Sequence, residues 1–289
     1  MKTIAPISVI IPTFNRQALL DRALDSVVAQ TLQPQEIIVV DDGSSDDTRA
    51  MLLTKYPHIN YSFLDNQGVS AARNRGISVA SSPWIAFLDS DDEWLPDKLQ
   101  MQFTALQQNP DYRLCHTEEI WIRRGKRVNP MNKHQKSGGH IYDKCLALCA
   151  ISPSSVIVHR ELFERVGLFD ETLPACEDYD MWLRICSEHA VLFIGKPLIV
   201  KYGGHDDQLS RRYWGMDRFR IKALLKILNE STLTPANYEL TVSMLRDKCT
   251  IYIQGALKRG KQTEAAYYQQ IINSFSSKQF TKKSRSALN

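Results

Sequence analysis

The stretch FLDSDDEWLPDKL, residues 87–99, sets Asp89, Asp91, Asp92 and Glu93 directly behind the apolar run WIAFL (84–88). Carboxylates this close repel and raise one another's pKa values unless water, a helix N-terminus or a cation offsets the repulsion. A divalent cation does so with one or two protein carboxylates, completing its shell with oxygens of a bound phosphate. Asp89 and Asp91 are two residues apart in what reads as an extended turn and offer such donors. The alternative is that Asp91, Asp92 and Glu93 attend the positive end of a helix whose first turn holds Pro96. A second acidic group, Glu177, Asp178 and Asp180, opens EDYDMWLRICSEH (177–189). At a helix start the dipole keeps a carboxylate ionised and ready to accept a proton. Successive helical residues point ~100° apart, so at most one or two of these three can face a cleft. A third pair, Asp41 and Asp42, follows EIIVV (36–40).

Glycine-based phosphate binding is missing where it would be needed. A dinucleotide fold requires GxGxxG after its first strand, and a P-loop requires GxxxxGK[ST]. Here the first apolar run leads into PTFNR, which holds no glycine. A bound diphosphate would therefore draw its positive charge from elsewhere, and a cation on carboxylates supplies it.

The elements that must position these acids can be read from periodicity. ISVIIP (7–12), EIIVV (36–40), INYSFL (59–64) and WIAFL (84–88) read as short strands. Leu19, Leu20, Ala23, Leu24, Val27 and Val28 recur at helical spacing, and a further helix is expected from about Val69 to Ala80. Strands alternating with helices imply an α/β fold, a mostly parallel sheet covered on both faces. Ligands bind such sheets beyond the carboxyl ends of the strands, where Asp41, Asp42, Asp89 and Asp91 lie. Further on, a helix is expected after Pro96, two strand-like arms around RRGKRV (123–128) with the turn at Gly125, and a flexible loop at NKHQKSGGH (132–140). SSVIVH (154–159) reads as a strand and 177–189 as a helix. From about Trp214 the pattern is helical. The expected division is 1–210 for the α/β domain, 211–275 for a helical appendage and 276–289 for a flexible basic tail.

The chain has 289 residues, 43% hydrophobic and 24% charged, values of a soluble globular protein with a substantial core. A net charge of +4 is too mild for a nucleic-acid-binding footprint. Six cysteines without a CxxC pair read as reduced thiols. MKTIAPISVIIPTFNR reads as a first strand rather than a signal peptide, and no run approaches the ~20 apolar residues of a membrane span. A cytoplasmic location is expected. Lys278, Lys282, Lys283 and Arg285 in the tail would allow peripheral contact with an anionic membrane face. The oligomeric state is not legible.

VIIPTFNR, IIVVDDGSSDDT, NQGVSAARNRG, FLDSDDEWLPDKL and EDYDMWLR occur in the order and spacing of the family 2 glycosyltransferases, inverting enzymes of the GT-A fold. The resemblance runs over roughly residues 5–210. It implies a nucleotide-sugar donor, usually a UDP-sugar, a divalent metal (Mn2+ or Mg2+), and transfer of a hexosyl or N-acetylhexosaminyl group. By that resemblance Pro12, Thr13 and Phe14 form the first nucleotide-contacting loop. Asp42 reads the uracil edge, where an acceptor-only carboxylate suits the N3–H donor. Asp41 could take that role instead, leaving the other acid to cap the turn. Arg73 lies near the nucleotide, or alternatively pairs with a helix-face acid. Asp89 lies near the ribose, Asp91 binds the metal, and His205 resembles a histidine that some members place near the metal or diphosphate. Asp178 matches the catalytic base. Asp180 is then expected to face away and pair locally, and Glu177 to precede the regular helix within reach of the acceptor. Trp84 and Trp182 are expected in the core. The acceptor, a saccharide or a lipid-linked one in surface-polysaccharide or glycolipid synthesis by analogy, should be chosen by region 123–150 and the C-terminal helices. Two other readings use the same acids: a glycoside hydrolase, which has no need of the nucleotide loops, and a non-catalytic relative, which has no need of the base.

Overall fold

Residues 7–11 leave no side of their strand for water: Ile7, Val9, Ile10 and Ile11 are all fully buried. That pattern belongs to the middle of a sheet covered on both faces. The computed structural model describes residues 3–129, 131, 134–204 and 213–276. In it β1 (Ile4–Thr13) lies between β2 (Gln33–Asp41) and β4 (Trp84–Phe87), and β2 pairs outward with β3 (Asn60–Phe63), all in parallel. The crossovers carry α1 (Gln17–Val28), α2 (Thr48–Lys55) and α3 (Val69–Val79). Leu20, Ala23, Leu24 and Val27 of α1 join Val9, Ile11 and Val39 in the core. On α3, Gly76 lets the helix lie against β1, since a Cβ there would stand 2.3 Å from Ile10 Cγ2.

Beyond β4 the sheet becomes mixed. β5 (Glu93–Trp94) and α4 (Lys98–Gln108) follow, then β6 (Leu114–Arg123) and β7 (Lys126–Val128), a hairpin. Its two turn residues, Arg124 (φ 51°) and Gly125 (φ 74°), both take the left-handed backbone that tight hairpins require. α5 (Tyr142–Ala147), a 3-10 turn (Pro153–Ser155), β8 (Ile157–His159), α6 (Glu161–Val166), α7 (Glu177–Cys186) and β9 (Leu192–Gly203) complete this part. The strand order is β3-β2-β1-β4-β8-β6-β9-β5. β8 runs antiparallel to β4 and β6, whereas β9 is parallel to β6 and antiparallel to β5. The parallel reading thus describes the first four strands, and the sheet beyond them is mixed.

Two local expectations need correction. Pro96 does not lie in the first turn of α4, which begins at Lys98 after Asp97, and that helix has no acid in its first turn. Asp91, Asp92 and Glu93 therefore do not attend this helix. Glu93 and Trp94 instead pair with Val200 and Ile199. SSVIVH is also not one strand, because Pro153 starts a 3-10 turn over its first residues.

The chain divides at Trp214/Gly215 into two compact units. The second contains helices Asp217–Glu230, Pro235–Leu257 and Gln262–Ser276. Thr234 caps the middle one, its side chain accepting from Asn237 N at 3.2 Å, with Pro235 in the first turn. Ile221, Leu224, Ile227, Leu245, Cys249 and Ala256 are buried in this unit. All six cysteines are free thiols. Among the described residues no helix is long and apolar enough to cross a membrane.

Candidate functional site

The loops at the carboxyl ends of the parallel strands are tied to one another. Asp42 N donates to Thr13 O and Leu64 N to Asp41 O, both at 2.8 Å. Asn15, in left-handed backbone (φ 50°), donates its N–H to Ser44 Oγ at 2.8 Å and accepts from Ser45 N at 2.7 Å. Within the Asp pair the roles separate. Asp41 accepts from Ser44 N and from the Tyr61 hydroxyl, each at 2.9 Å, so it caps its own turn. Burial and Asp41 push the Tyr61 hydroxyl up to about 12. Asp42 accepts from Gln67 N at 2.7 Å and Gly68 N at 2.8 Å, one per carboxylate oxygen. Each oxygen keeps a lone pair for a further donor. Phe14 is exposed, Pro12 and Thr13 are buried, and the Thr13 hydroxyl finds no hydrogen-bond partner among the described residues.

Arg73 occupies the junction between the acidic groups. Its guanidinium is 3% exposed and donates to Asp89 Oδ1 at 2.8 Å and to Glu177 Oε1 at 2.6 Å. Burial opposes ionisation of Asp89, but the Arg73 charge, with Lys201 and Arg16, outweighs it and holds the carboxyl below its usual range. Burial and the Asp178 charge push Glu177 up against the pull of Arg73. Arg73 therefore pairs with the helix-start acid, the alternative weighed for it, and also with Asp89. Glu177 is buried in this bridge and is the first residue of α7 rather than a residue preceding it.

Asp91 accepts from Arg16 Nη1 at 3.0 Å and keeps 15% of its side chain exposed. Burial and the Asp89 charge raise its pKa. Asp92 accepts from the Ser154 hydroxyl at 2.6 Å, and burial raises it to about 8. Behind both acids lies Lys201 of β9, donating to Ser152 Oγ at 3.0 Å. Burial disfavours its charge, but Asp92, Glu119 and Asp89 outweigh burial and raise its pKa. Asp91 is the partly exposed acid of this group, and a divalent cation would offset the burial and the Asp89 charge that disfavour its ionised form. Among the described residues no group of three or more His, Cys, Asp or Glu is arranged to hold a metal. The donor set fits a cation held by Asp91 with the remaining ligands drawn from a substrate diphosphate. His205 and the basic tail lie outside the described residues.

Asp178 is partly exposed, between the buried Glu177 and Tyr179. Its Oδ1 accepts from Tyr179 N at 2.7 Å and its Oδ2 from the Cys149 thiol at 2.9 Å. Burial and Asp178 raise that thiol well above the usual range. Asp180 is 1% exposed and forms a two-point pair with Arg184, at 2.7 and 3.0 Å. Arg184 in turn donates to the carbonyls of Val166, Gly167 and Leu168. Trp182 is fully buried, edge-on to Phe169. Trp84 is half-buried, edge-on to His159.

The structure thus links Asp89, Arg73 and the start of α7 directly, with Asp91 beside them. Asp42 ties the 67–68 loop to the end of β2. Sequence reasoning missed Arg16, Cys149, Ser154 and Lys201. Arg16 closes the first matched motif and was visible as a candidate, whereas the other three carry no local signal.

The family model described as Glycosyl transferase family 2 matches residues 8–166. UDP-Glc:alpha-D-GlcNAc-diphosphoundecaprenol beta-1,3-glucosyltransferase WfgD of Escherichia coli is 32% identical over 188 residues, 64% of this chain and 71% of its own. An uncharacterized glycosyltransferase of Rickettsia felis is 34% identical over 208 residues, 71% of this chain and 32% of its own. The chain thus spans about a third of the length of some curated relatives it matches. The crystal structure of S. aureus TarS 1-349 in complex with UDP-GlcNAc is similar with a TM-score of 0.64 and 16% identity, covering 96% of this chain and 93% of that one. Mannosyltransferase PcManGT from Pyrobaculum calidifontis, in complex with GDP-Man and Mn2+, gives a TM-score of 0.61 and 18% identity over 94% of this chain and 81% of its own. At these identities the two structures speak for the fold, which is GT-A.

Proposed function

Since the chain belongs to glycosyl transferase family 2, we propose that it is an inverting, metal-dependent transferase. It moves a hexosyl or N-acetylhexosaminyl group from UDP to a hydroxyl of a saccharide acceptor, lipid-linked as in the E. coli relative. The observation that most supports this reading is the bridge Asp89–Arg73–Glu177, which ties the start of α7, where the partly exposed Asp178 lies, to the end of β4. TarS was crystallised with UDP-GlcNAc, and Asp42 keeps lone pairs that suit a uracil N3–H. Pro12, Thr13 and Phe14 complete the nucleotide loop. By the same motif match Asp89 serves the ribose side, held in place by Arg73.

In the transfer the acceptor oxygen bonds to the anomeric carbon from the face opposite the nucleotide. The bond from that carbon to the diphosphate oxygen breaks, and its electron pair leaves with UDP. Asp178 takes the acceptor's hydroxyl proton as it becomes acidic in the transition state, a contribution of ~10²–10⁴ in rate. Asp178 Oδ2 can receive that proton once the Cys149 thiol yields its hydrogen bond. A divalent cation held by Asp91, with His205 a further candidate ligand, would supply charge neutralisation at the leaving diphosphate. Arg73 and Lys201 hold the acids of the cleft in place. The work site is the cytoplasm, with peripheral membrane contact through residues 276–289.

The test is product formation measured beside UDP affinity. Asp178→Asn should abolish transfer and leave UDP binding near wild type, whereas Asp180→Asn should lower stability through Arg184 and keep transfer in the folded protein. An active Asp178→Asn enzyme would remove this mechanism. Loss of UDP affinity in it would make Asp178 a binding residue.

A further inference from the structure

A cavity of about 350 Å³ lies among β6, α5 and the segment 134–136, one residue removed from the candidate base. Its volume lies within the range of small-molecule sites. Cys149, whose thiol is 2.9 Å from Asp178 Oδ2, forms part of its wall. None of Pro12, Thr13, Phe14, Asp42, Asp89 and Asp91 lines it, so it is separate from the donor loops.

Its lining has two parts. Trp121 presents an indole whose Nε1 is already held by Glu119 Oε1 at 2.8 Å, and the ring lies 5.4 Å from that of His134. An indole fixed by its own N–H offers its face rather than its donor. Beside it Glu119 and Lys136 form an ion pair at 3.1 Å, with side chains 3% and 6% exposed. Such a pair is costly to bury and supplies both a strong acceptor and strong donors.

Charge narrows the ligand. Glu119 and Asp143 balance Lys136 and Lys144, so the lining has no excess of positive charge for a phosphate or diphosphate. Leu148 is the one large aliphatic residue among the lining, too little for a polyprenyl chain. A pyranose ring matches what remains: its axial C–H face packs on an aromatic plane, and its hydroxyls both donate and accept.

We propose that this cavity seats the neutral sugar ring of the acceptor, its C–H face on Trp121 and its hydroxyls on the Glu119–Lys136 pair, with the attacking hydroxyl directed past Cys149 to Asp178. The proposal rests on the transferase reading above and deepens it by giving the acceptor site a place and a ligand class. The lipid-linked part of an acceptor would extend out of the cavity.

The test uses saturation-transfer NMR on the full chain with UDP and Mn2+ present. The probes are a panel of methyl hexopyranosides and methyl N-acetylhexosaminides, with inorganic pyrophosphate as competitor. Ring protons of at least one glycoside should receive saturation, pyrophosphate should not displace it, and Trp121→Ala should weaken it at least tenfold. Ala147→Phe, on the exposed rim at the end of α5, should plug the cavity with the same result. UDP signals should persist in both variants, which reports that they are folded. If UDP binds but no glycoside does, or both variants bind glycoside as the wild type does, the proposal is overturned. Displacement of glycoside by pyrophosphate overturns it in favour of an anion site. If UDP itself fails to bind the wild type, the donor reading fails instead.

Discussion

Arg73 shows what a single side chain can hold together. The motif match puts it near the nucleotide, and within the protein its two terminal nitrogens donate to Asp89 and Glu177. Arg73→Ala leaves the buried Glu177 and the half-buried Asp89 without their cation and should cost ~3–5 kcal/mol in urea unfolding. Arg73→Lys keeps the charge but not the two-pronged reach, and should recover part of that loss. The Asp pair makes a second prediction at this scale. Asp42→Ala should weaken UDP binding by ~1–3 kcal/mol, measured by calorimetry, through an unpaired uracil donor. Because Asp42 also holds Gln67 N and Gly68 N, this variant should loosen that loop as well, which the sequence did not reveal. Asp41→Ala should act mainly on stability, since its partners are Ser44 N and Tyr61. The chemical type of each acid was legible from the sequence. Its division of labour was not, because hydrogen-bond partners 20 or 26 residues away leave no local trace.

Among the elements, the parallel half was legible because apolar runs and helical periodicity agree there. β9 was not, since Gly195, Lys196 and Pro197 interrupt its apolar pattern and its register against β6 shifts at Glu118. β5 escaped because two residues are too short to show a period. Two helices carry predictions. Gly76→Ala on α3 should destabilise by ~1–3 kcal/mol, because its Cβ would meet Ile10 Cγ2 at 2.3 Å and either helix or strand must shift. On α4, Lys98 is fully buried, 4.0 Å from the centre of the Trp94 ring, and burial lowers its pKa to about 7. The unfolded chain binds that proton up to about pH 10.4, so between about pH 7 and pH 10 the unfolded state holds more protons than the native one. The stability contributed by Lys98 therefore rises with pH through that window and is least below it. Lys98→Met should gain most over wild type near pH 6–7 and lose that advantage toward pH 10. Melting temperatures of both proteins across that range check the sign, and a constant difference would refute it.

For the whole molecule, the two units allow separate unfolding transitions, and the residues proposed for the donor site lie within the first. UDP at ~100 times its Kd stabilises the state that binds it by ~2.7 kcal/mol, worth roughly 5–10 °C for a unit of this size. Calorimetry should show UDP raising the transition of the first unit, Mn2+ enlarging the shift, a chelator cancelling that enlargement, and Asp91→Asn removing it. The division between the two compact units falls after Trp214. The sequence could not give the sheet's change of direction after β4, which depends on pairings between strands far apart in the chain. The Arg73 bridge also bears on building hybrid enzymes. Residues 73 and 89 come with the parallel part of the first unit, whereas residue 177 comes with its mixed part, so a crossover between them joins ionic partners from different parents. A hybrid of two relatives should work when both parents place the same three charges there. When they do not, the new enzyme would inherit a donor site and an acceptor site that no longer face each other.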